Sequence, residues 1–484
     1  MSRKTMHKLA NQIACTVFVM GLMLVGSTGA WAQETGSSGA PPAATGPDTA
    51  TQTIENPPLS GLDEPSFEPG FGARSYLIFK AHASESVSTN AAGNLGSKTA
   101  LKEVTRGLGS VTLQKLWKIH PLDVDYTGGV VWYNGKNSQT FQLHSLAATQ
   151  RILWRTGQLA FRDSFTYVPQ GGFGSSSFGG VGGLGGLGGG VTSGGGIAGG
   201  AGGGLFSNGQ FGSIGNQPRI TNMSIVDVTQ ELSPRSSVTL AGGYGLTNFL
   251  NNPQGFINSQ TTTAQAGYNY KLSRRDQLAV TYGFREFHFP RAGSGSFNTN
   301  VWQAFYGHRI SGKLDFVAGG GPQWIHVNSP LRGNISFVSG VGRASLIYHE
   351  SARTDMRASY SHYTNGGSGF FAGSNTDAVR LGVTHVLARR WTATVDAGYS
   401  HNKRVLAVPS LTAGNSRTYK FWYAGGSMRR QLSRQFAAHA TYQYDDINFS
   451  SGFCGASNPS CSRGYSRHVG LIGIEWTPRP IRLD

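Results

Sequence analysis

The sequence predicts an all-β chain: a transmembrane up-and-down antiparallel β-barrel of about 16 to 18 strands. Three observations carry that expectation. The chain opens on an export signal and contains no apolar run long enough for a membrane helix. Its C-terminal half alternates apolar and polar side chains with a period of two. A tight turn recurs there roughly every 40 residues.

Residues 1–32 combine a charged start (Arg3, Lys4, Lys8), an apolar middle from Ile13 to Val25, and Ala30-Trp31-Ala32 ahead of Gln33. That is the layout of a secretory signal peptide with a small-x-small cleavage site. The apolar stretch is short for a span of about 20 residues. With no helix available beyond it, any membrane crossing must be made by a closed barrel. The three signal-segment cations account for part of the formal charge of +17, leaving +14 on the rest. A basic exported chain does not meet nucleic acid. Outer-membrane lipids and lipopolysaccharide headgroups, or anions in a lumen, are the partners its charge suits.

Residues 33–70 are rich in Pro, Gly, Ser and Thr and read as a disordered N-terminal segment, too short for a folded plug. Residues 71–484 carry the alternation and form the barrel domain. In Thr262–Phe289, Ala264, Ala266, Tyr268, Tyr270 and Leu272 share one face. Leu278, Val280, Tyr282 and Phe284 repeat the pattern after a tight turn at Ser273-Arg274-Arg275. Related turns begin at Leu232, Leu272, Ile310, Glu350, Leu387 and Leu432, at spacings of 40, 38, 40, 37 and 45 residues. A propeller blade would need four strands in that interval, but only two long arms fit. Counting arms from residue 71 to residue 477 gives eighteen, with sixteen as the lower count.

Aromatics mark the ends of the apolar faces. Trp391 and Tyr399 lie eight residues apart, about 26 Å along a strand. Phe436, Tyr442, Tyr444 and Trp476 complete the expected girdle. On the opposite faces the alternation places Lys271, Arg285, Arg343, Arg357, Arg380 and Lys420 among the acids Asp227, Glu231, Asp355 and Asp396. Such a surplus of cations favours anions along a water-filled wall. The bland reading pairs Arg357 with Asp355 and merely stiffens the sheet.

Two connections are distinctive. Residues 171–215 form a Gly-rich loop, expected to be mobile on the outside or to dip inward as a constriction. Cys454 and Cys461 are spaced to close a disulfide, which an oxidising compartment permits; without neighbouring histidines they do not make a metal site. No cofactor is implied.

Together the leader, the two-strand repeat with its Leu-Ser-x-Arg turns, and the final strand HVGLIGIEW resemble porin-like Gram-negative outer-membrane β-barrel proteins. The resemblance covers residues 71–477 and implies passage of small hydrophilic solutes. It also implies recognition of the last strand by the barrel-insertion machinery through Gly470, Ile472, Ile474 and Trp476. The chain departs from that pattern by continuing as TPRPIRLD. Homo-oligomers occur among such barrels and are left open here. His362-Tyr363-Thr364-Asn365-Gly366 also looks like the His-x-Ser-Asn stretch of outer-membrane lipid A deacylases, but Thr364 replaces the nucleophilic Ser. The chain is therefore expected not to be an enzyme. The expected role is a passive pore for small hydrophilic, in particular anionic, solutes. The alternative is a non-conducting surface or envelope-assembly barrel that works through its loops.

Overall fold

The computed structural model describes residues 58–62, 75–89, 101–117, 119–134, 139–168, 218–250, 256–290, 295–329, 333–351, 353–367, 369, 371–406, 417–450 and 464–483. Residues 1–32, where a signal peptide is expected, most of residues 33–70, the Gly-rich stretch 171–215 and the expected Cys454–Cys461 pair lie outside the described residues.

Alternation builds the wall. The strands in chain order are β1 (Tyr76–Ser88), β2 (Lys102–Lys115), β3 (Leu122–Asn134), β4 (Gln139–Trp154), β5 (Gly157–Val168) and β6 (Arg219–Ser233). They continue as β7 (Ser236–Phe249), β8 (Ser259–Lys271), β9 (Asp276–His288), β10 (Ser296–Ser311), β11 (Leu314–Ser329) and β12 (Gly333–Ser351). Then come β13 (Thr354–Asn365), β14 (Ser374–Ala388), β15 (Trp391–Arg404), β16 (Thr418–Gln431), β17 (Phe436–Phe449) and β18 (Gly464–Trp476). Each pairs antiparallel with its sequence neighbours, and β18 returns to β1, with Ala81 opposite Trp476 through Ser88 opposite Val469. The sheet has no open edge. Eighteen strands spaced ~4.8 Å apart and tilted ~40° enclose a backbone cylinder about 35 Å across.

The first strand starts at Tyr76 rather than near residue 71, and it runs on to Ser88. Its second half, His82 to Ser88, is small and polar, so the apolar signal that marks the other strands fades there. At the far end, Pro478 and Pro480 cannot donate to the ladder and interrupt the last strand. The chain then resumes pairing as β19 (Ile481–Arg482), opposite Leu77 and Tyr76 of β1. The extension beyond Trp476 thus lengthens the closing seam. Lys115 Nζ ties it down by donating to the Leu483 carbonyl at 3.1 Å.

The recurring turn has a local cause. Ser273 Oγ accepts the backbone N–H of Arg275 (3.0 Å) and of Asp276 (3.1 Å). Ser233 does the same for Arg235 and Ser236, and Ser433 for Gln435 and Phe436. A serine hydroxyl thereby satisfies amides that the reversal leaves without a ladder partner. The Arg that follows passes its carbonyl to the next hairpin: Arg235 accepts from Lys271 N–H (2.7 Å), and Arg275 from Arg309 N–H (2.8 Å). Turn is thus linked to turn around one rim, called the turn end below. The other rim, the loop end, carries the longer connections.

Large apolar side chains stand exposed along the outer wall, among them Leu240, Val280, Leu381, Val395, Ile472 and Ile474. Water would not tolerate so continuous a belt, and lipid would. Of the residues expected to form a girdle, Tyr399, Phe436, Tyr442 and Trp476 are exposed, and Trp391 lies under the Arg430 guanidinium at 5.1 Å. Tyr444 packs outward against Trp422, with ring centroids 4.7 Å apart. The wall is that of a membrane-spanning barrel.

Candidate functional site: the lumen

Two pieces of chain enter the barrel from opposite ends. At the loop end, the connection between β13 and β14 folds over the opening. Phe371 is 1% exposed and packs against the Tyr419 ring at 5.2 Å between centroids. With Phe249, Phe256, Tyr363, Phe421, Tyr423, Ile447 and Phe449 it makes an apolar cluster inside the wall. Ala372 joins a second cluster with Ile257, Phe287, Phe289, Phe297, Ile325, Val327 and Leu406. Backbone bonds pin the loop to its neighbours: Ile257 N–H donates to Gly369 O (2.8 Å), Val405 N–H to Gly373 O (3.0 Å) and Leu406 N–H to Ala372 O (3.2 Å). Loop tips from several sides of the barrel are thus joined over its mouth.

Glycine makes this loop path available. Gly367, Gly369 and Gly373 all have φ between +79° and +85°, the left-handed region that other residues enter at a cost. A Cβ on Gly373 would lie 2.2 Å from Phe297 Cε1. Gly373→Ala is therefore expected to lift the loop off the mouth, with strain of about 1–2 kcal/mol from backbone geometry alone. Faster proteolytic cleavage near residue 370 in intact outer-membrane vesicles would register it, and unchanged resistance would contradict it.

At the turn end, Pro58-Leu59-Ser60-Gly61-Leu62 lies against the inner faces of β6 to β12, with Pro58 and Ser60 buried. Its partners include Thr239, Gln265, Asn269 and Arg343. This corrects the expectation that residues 33–70 are disordered throughout. The wall side chains satisfy backbone groups that the tripeptide Leu59-Ser60-Gly61 cannot pair by itself.

Between the two inserts the wall is polar and rich in guanidinium groups. Lys271, Arg285, Arg343, Arg357 and Arg380 stand on the inner face with Asp355 and Asp396, alternating with the exposed Tyr270, Leu346, Tyr360, Val379, Leu381 and Val395. Arg285 is fully buried, donates to the Thr364 carbonyl at 3.0 Å and lies over the Phe287 ring at 5.1 Å. Arg343 lies over Phe305 at 4.5 Å. Asp355 is bonded to His349 and not to Arg357. Strand register sets Arg380, Gly398, Tyr423, Asp445 and Arg467 in one row across β14 to β18.

Lys420 is the exception. It faces outward with Trp422, because Tyr419, Phe421 and Tyr423 occupy the inner face of that half of β16. The inserted loop gives those aromatics an apolar partner inside, so apolar-out alternation reverses locally. Lys420 thereby joins His401, Asp377 and His362 in an outward row near the loop end. There Asp377 accepts from Tyr360 Oη (2.9 Å) and pairs with His362 Nδ1 (2.7 Å). Thr364 is turned the other way, donating to Gln323 Oε1 inside the wall at 3.1 Å. His362 and Thr364 are therefore not brought together as an acyl-transfer pair.

Several inner-face arginines escaped the sequence reading, four of them as follows. Arg162 grips Asp227 through Nε (2.7 Å) and Nη2 (3.3 Å), the pair being buried. Arg467 binds Asp445 through Nε at 3.0 Å. Arg106 donates to Ser86 Oγ at 2.7 Å, and Arg219 is buried at the loop end of β6. Alternation alone locates three of them: Arg162 follows outward Phe161, Arg467 sits three residues before outward Gly470, and Arg106 two before buried Leu108. Inside the β1–β18 seam, His82 and His439 stack with their Nε2 atoms 3.1 Å apart.

No protein-family model matches the chain, and no curated protein matches its sequence. Among solved structures it is similar in shape to the FrpB iron transporter from Neisseria meningitidis (F5-1 variant), at TM-score 0.41 and 8% identity. That match covers 84% of this chain and 83% of that one. It is similar likewise to Pseudomonas aeruginosa OccK5 (OpdH), at 0.40 and 11%, covering 85% and 100%. For P. aeruginosa OpdQ the figures are 0.41 and 9%, covering 84% and 99%. Likeness at this level says nothing about solute or mechanism.

Proposed function

We propose that this barrel is an outer-membrane channel for small hydrophilic anions. The observation that carries the reading is the inner face itself. A closed wall wide enough for water presents Arg106, Arg343, Arg357 and Arg380 to the interior, against fewer acids. Several of those acids, Asp227, Asp355 and Asp445, are already engaged by Arg162, His349 and Arg467. A net positive potential in a low-dielectric tube concentrates anions and repels cations.

The outward row of His362, Asp377, His401 and Lys420 ends on a lysine that suits anionic lipid headgroups, lipopolysaccharide included. It sits near the loop end beside Tyr399 and Trp422, at the level where an apolar belt gives way to polar surface. Insertion through the last strand fits the outward Ile472, Ile474 and Trp476. The role assigned is transport without chemistry.

Ion conductance in a planar bilayer under a salt gradient tests the reading. The native protein is expected to conduct in discrete steps with a reversal potential on the anion side. Arg357→Glu with Arg380→Glu should move that potential toward the cation side, because two charges reverse sign on the lumen wall. A native channel selective for cations, or insertion without conductance, would count against the proposal.

A further inference from the structure

We propose that residues 58–62 are a lumenal stopper, a short piece of the chain's own N-terminal region that docks on the inner wall and narrows the passage. The inference rests on the channel reading above and adds how the channel is restricted.

The docking is built from both sides. Gly61 N–H closes a tight turn on the Pro58 carbonyl at 2.8 Å. Leu59 N–H then donates to Asn269 Oδ1 at 3.1 Å. The Ser60 carbonyl receives two donors from the wall, Thr239 Oγ1 at 2.9 Å and Gln265 Nε2 at 2.8 Å. Arg343 Nη2 reaches the Leu59 carbonyl at 3.5 Å. Leu62 packs on the buried Met223 and Ile225 of β6. A five-residue turn that touches β6 and β12 at once can do so only from the concave side of the wall.

The wall is shaped to receive it. Gly267 and Gly307 occupy inner-face positions directly under the turn. A Cβ at Gly267 would lie 2.6 Å from Ser60 Cβ, and one at Gly307 would lie 3.0 Å from Leu59 Cδ1. Any larger side chain at either place would compete with the segment. Glycine weakens a strand, so its presence beneath the turn is explained by what it admits.

Connection to the barrel does not require this path. β1 begins at the turn end, and the twelve residues 63–74 can span about 40 Å when extended. The segment could remain outside the barrel with its backbone hydrated. Held inside, it gives up conformational freedom, and wall side chains bond the Leu59 amide and the Ser60 carbonyl. It therefore takes up cross-section that water and solute would otherwise use.

The test uses the full-length protein and two variants. In Ser60→Cys with Gly267→Cys, the two β-carbons stand closer than the ~3.8 Å of a disulfide and need a shift of about 1 Å to bridge. Ser60 Oγ has no hydrogen-bond partner among the described residues, so the exchange removes no bond there. Leu59→Lys with Leu62→Lys leaves every barrel strand unaltered and sets two cations beside Arg343 and the arginine-rich wall, which makes docking unfavourable. The expected result has three parts: a bridge detected by peptide mass spectrometry, a conductance in the bridged form no higher than the native value, and a several-fold higher conductance in the double-Lys form. Failure of the bridge to form together with native-sized conductance in the double-Lys form would overturn the docking. A bridge together with native-sized conductance in the double-Lys form would overturn the stopper and leave the channel reading standing. No conductance in any form, double-Lys included, would overturn both.

Discussion

Replacing Phe371 with alanine should unseat the loop between β13 and β14 and enlarge the conducting path at the loop end. Phe371 is wholly buried, and its ring meets Tyr419 inside a cluster drawn from five strands and two loop ends. Truncating a buried phenylalanine removes about 3–5 kcal/mol of packing. The loop is held otherwise by a few backbone bonds and by the Asn365 stem, where Gly367 N–H donates to Asn365 Oδ1 at 2.7 Å. Those bonds are easily exchanged for water once the ring is gone. Larger single-channel steps and faster proteolysis within 366–373 are the expected readouts. A properly folded variant with native conductance and native protease resistance would show that the loop lies over the mouth without restricting it.

Removing Asp227 should weaken the barrel more than removing any exposed lumen acid. The Arg162–Asp227 pair is bidentate, and its two residues are 3% and 4% exposed. Breaking a buried ion pair from one side costs about 3–5 kcal/mol, since the surviving charge stays desolvated. Asp227→Ala is expected to lower the urea midpoint of the refolded protein in detergent, as read by the folded-band mobility on unheated gels. Arg162→Met with Asp227→Leu should recover most of that loss, because two apolar side chains leave no buried charge. A double variant as weak as the single one would mean that neighbours other than Asp227 carry the site. Asp355→Ala makes the comparison. Its carboxylate is half exposed, and the loss there should be small.

The architecture was legible because each strand is governed by a rule that reads one residue at a time. Alternation gave the arms, and serine at a fixed place gave the turns. Thr354–Asn365 and Gly157–Val168 are strands of this kind. The same alternation assigned Lys271, Arg285 and Arg380 to the interior. It failed at Lys420, since orientation there is decided by Phe371, which approaches from a different part of the chain. Nothing local to TYKFWYAGG says that tyrosines will find an apolar partner inside a lumen. Residues 58–62 were missed for a related reason. NPPLSGLDE has the composition of a solvated linker, and what orders it is Asn269, Thr239 and Gln265, some two hundred residues away. The loop 366–373 reads as Gly-rich and polar, but Phe371, between positive-φ glycines, packs into the aromatic cluster as a knob.

The two inserts differ in how they are held, and this bears on kinetics. The loop-end knob is fixed at both of its ends by strands and cemented by aromatic rings. The segment at the turn end is held mainly by hydrogen bonds to wall side chains. In the proposed anion channel, passage would cross two free-energy barriers of unequal stiffness, with a cationic well between them. Occupancy of that well caps the throughput, so flux should level off as the external anion concentration rises, as an enzyme's rate does. Traffic in the two directions then meets the rigid and the yielding barrier in opposite order, so the barrel should rectify.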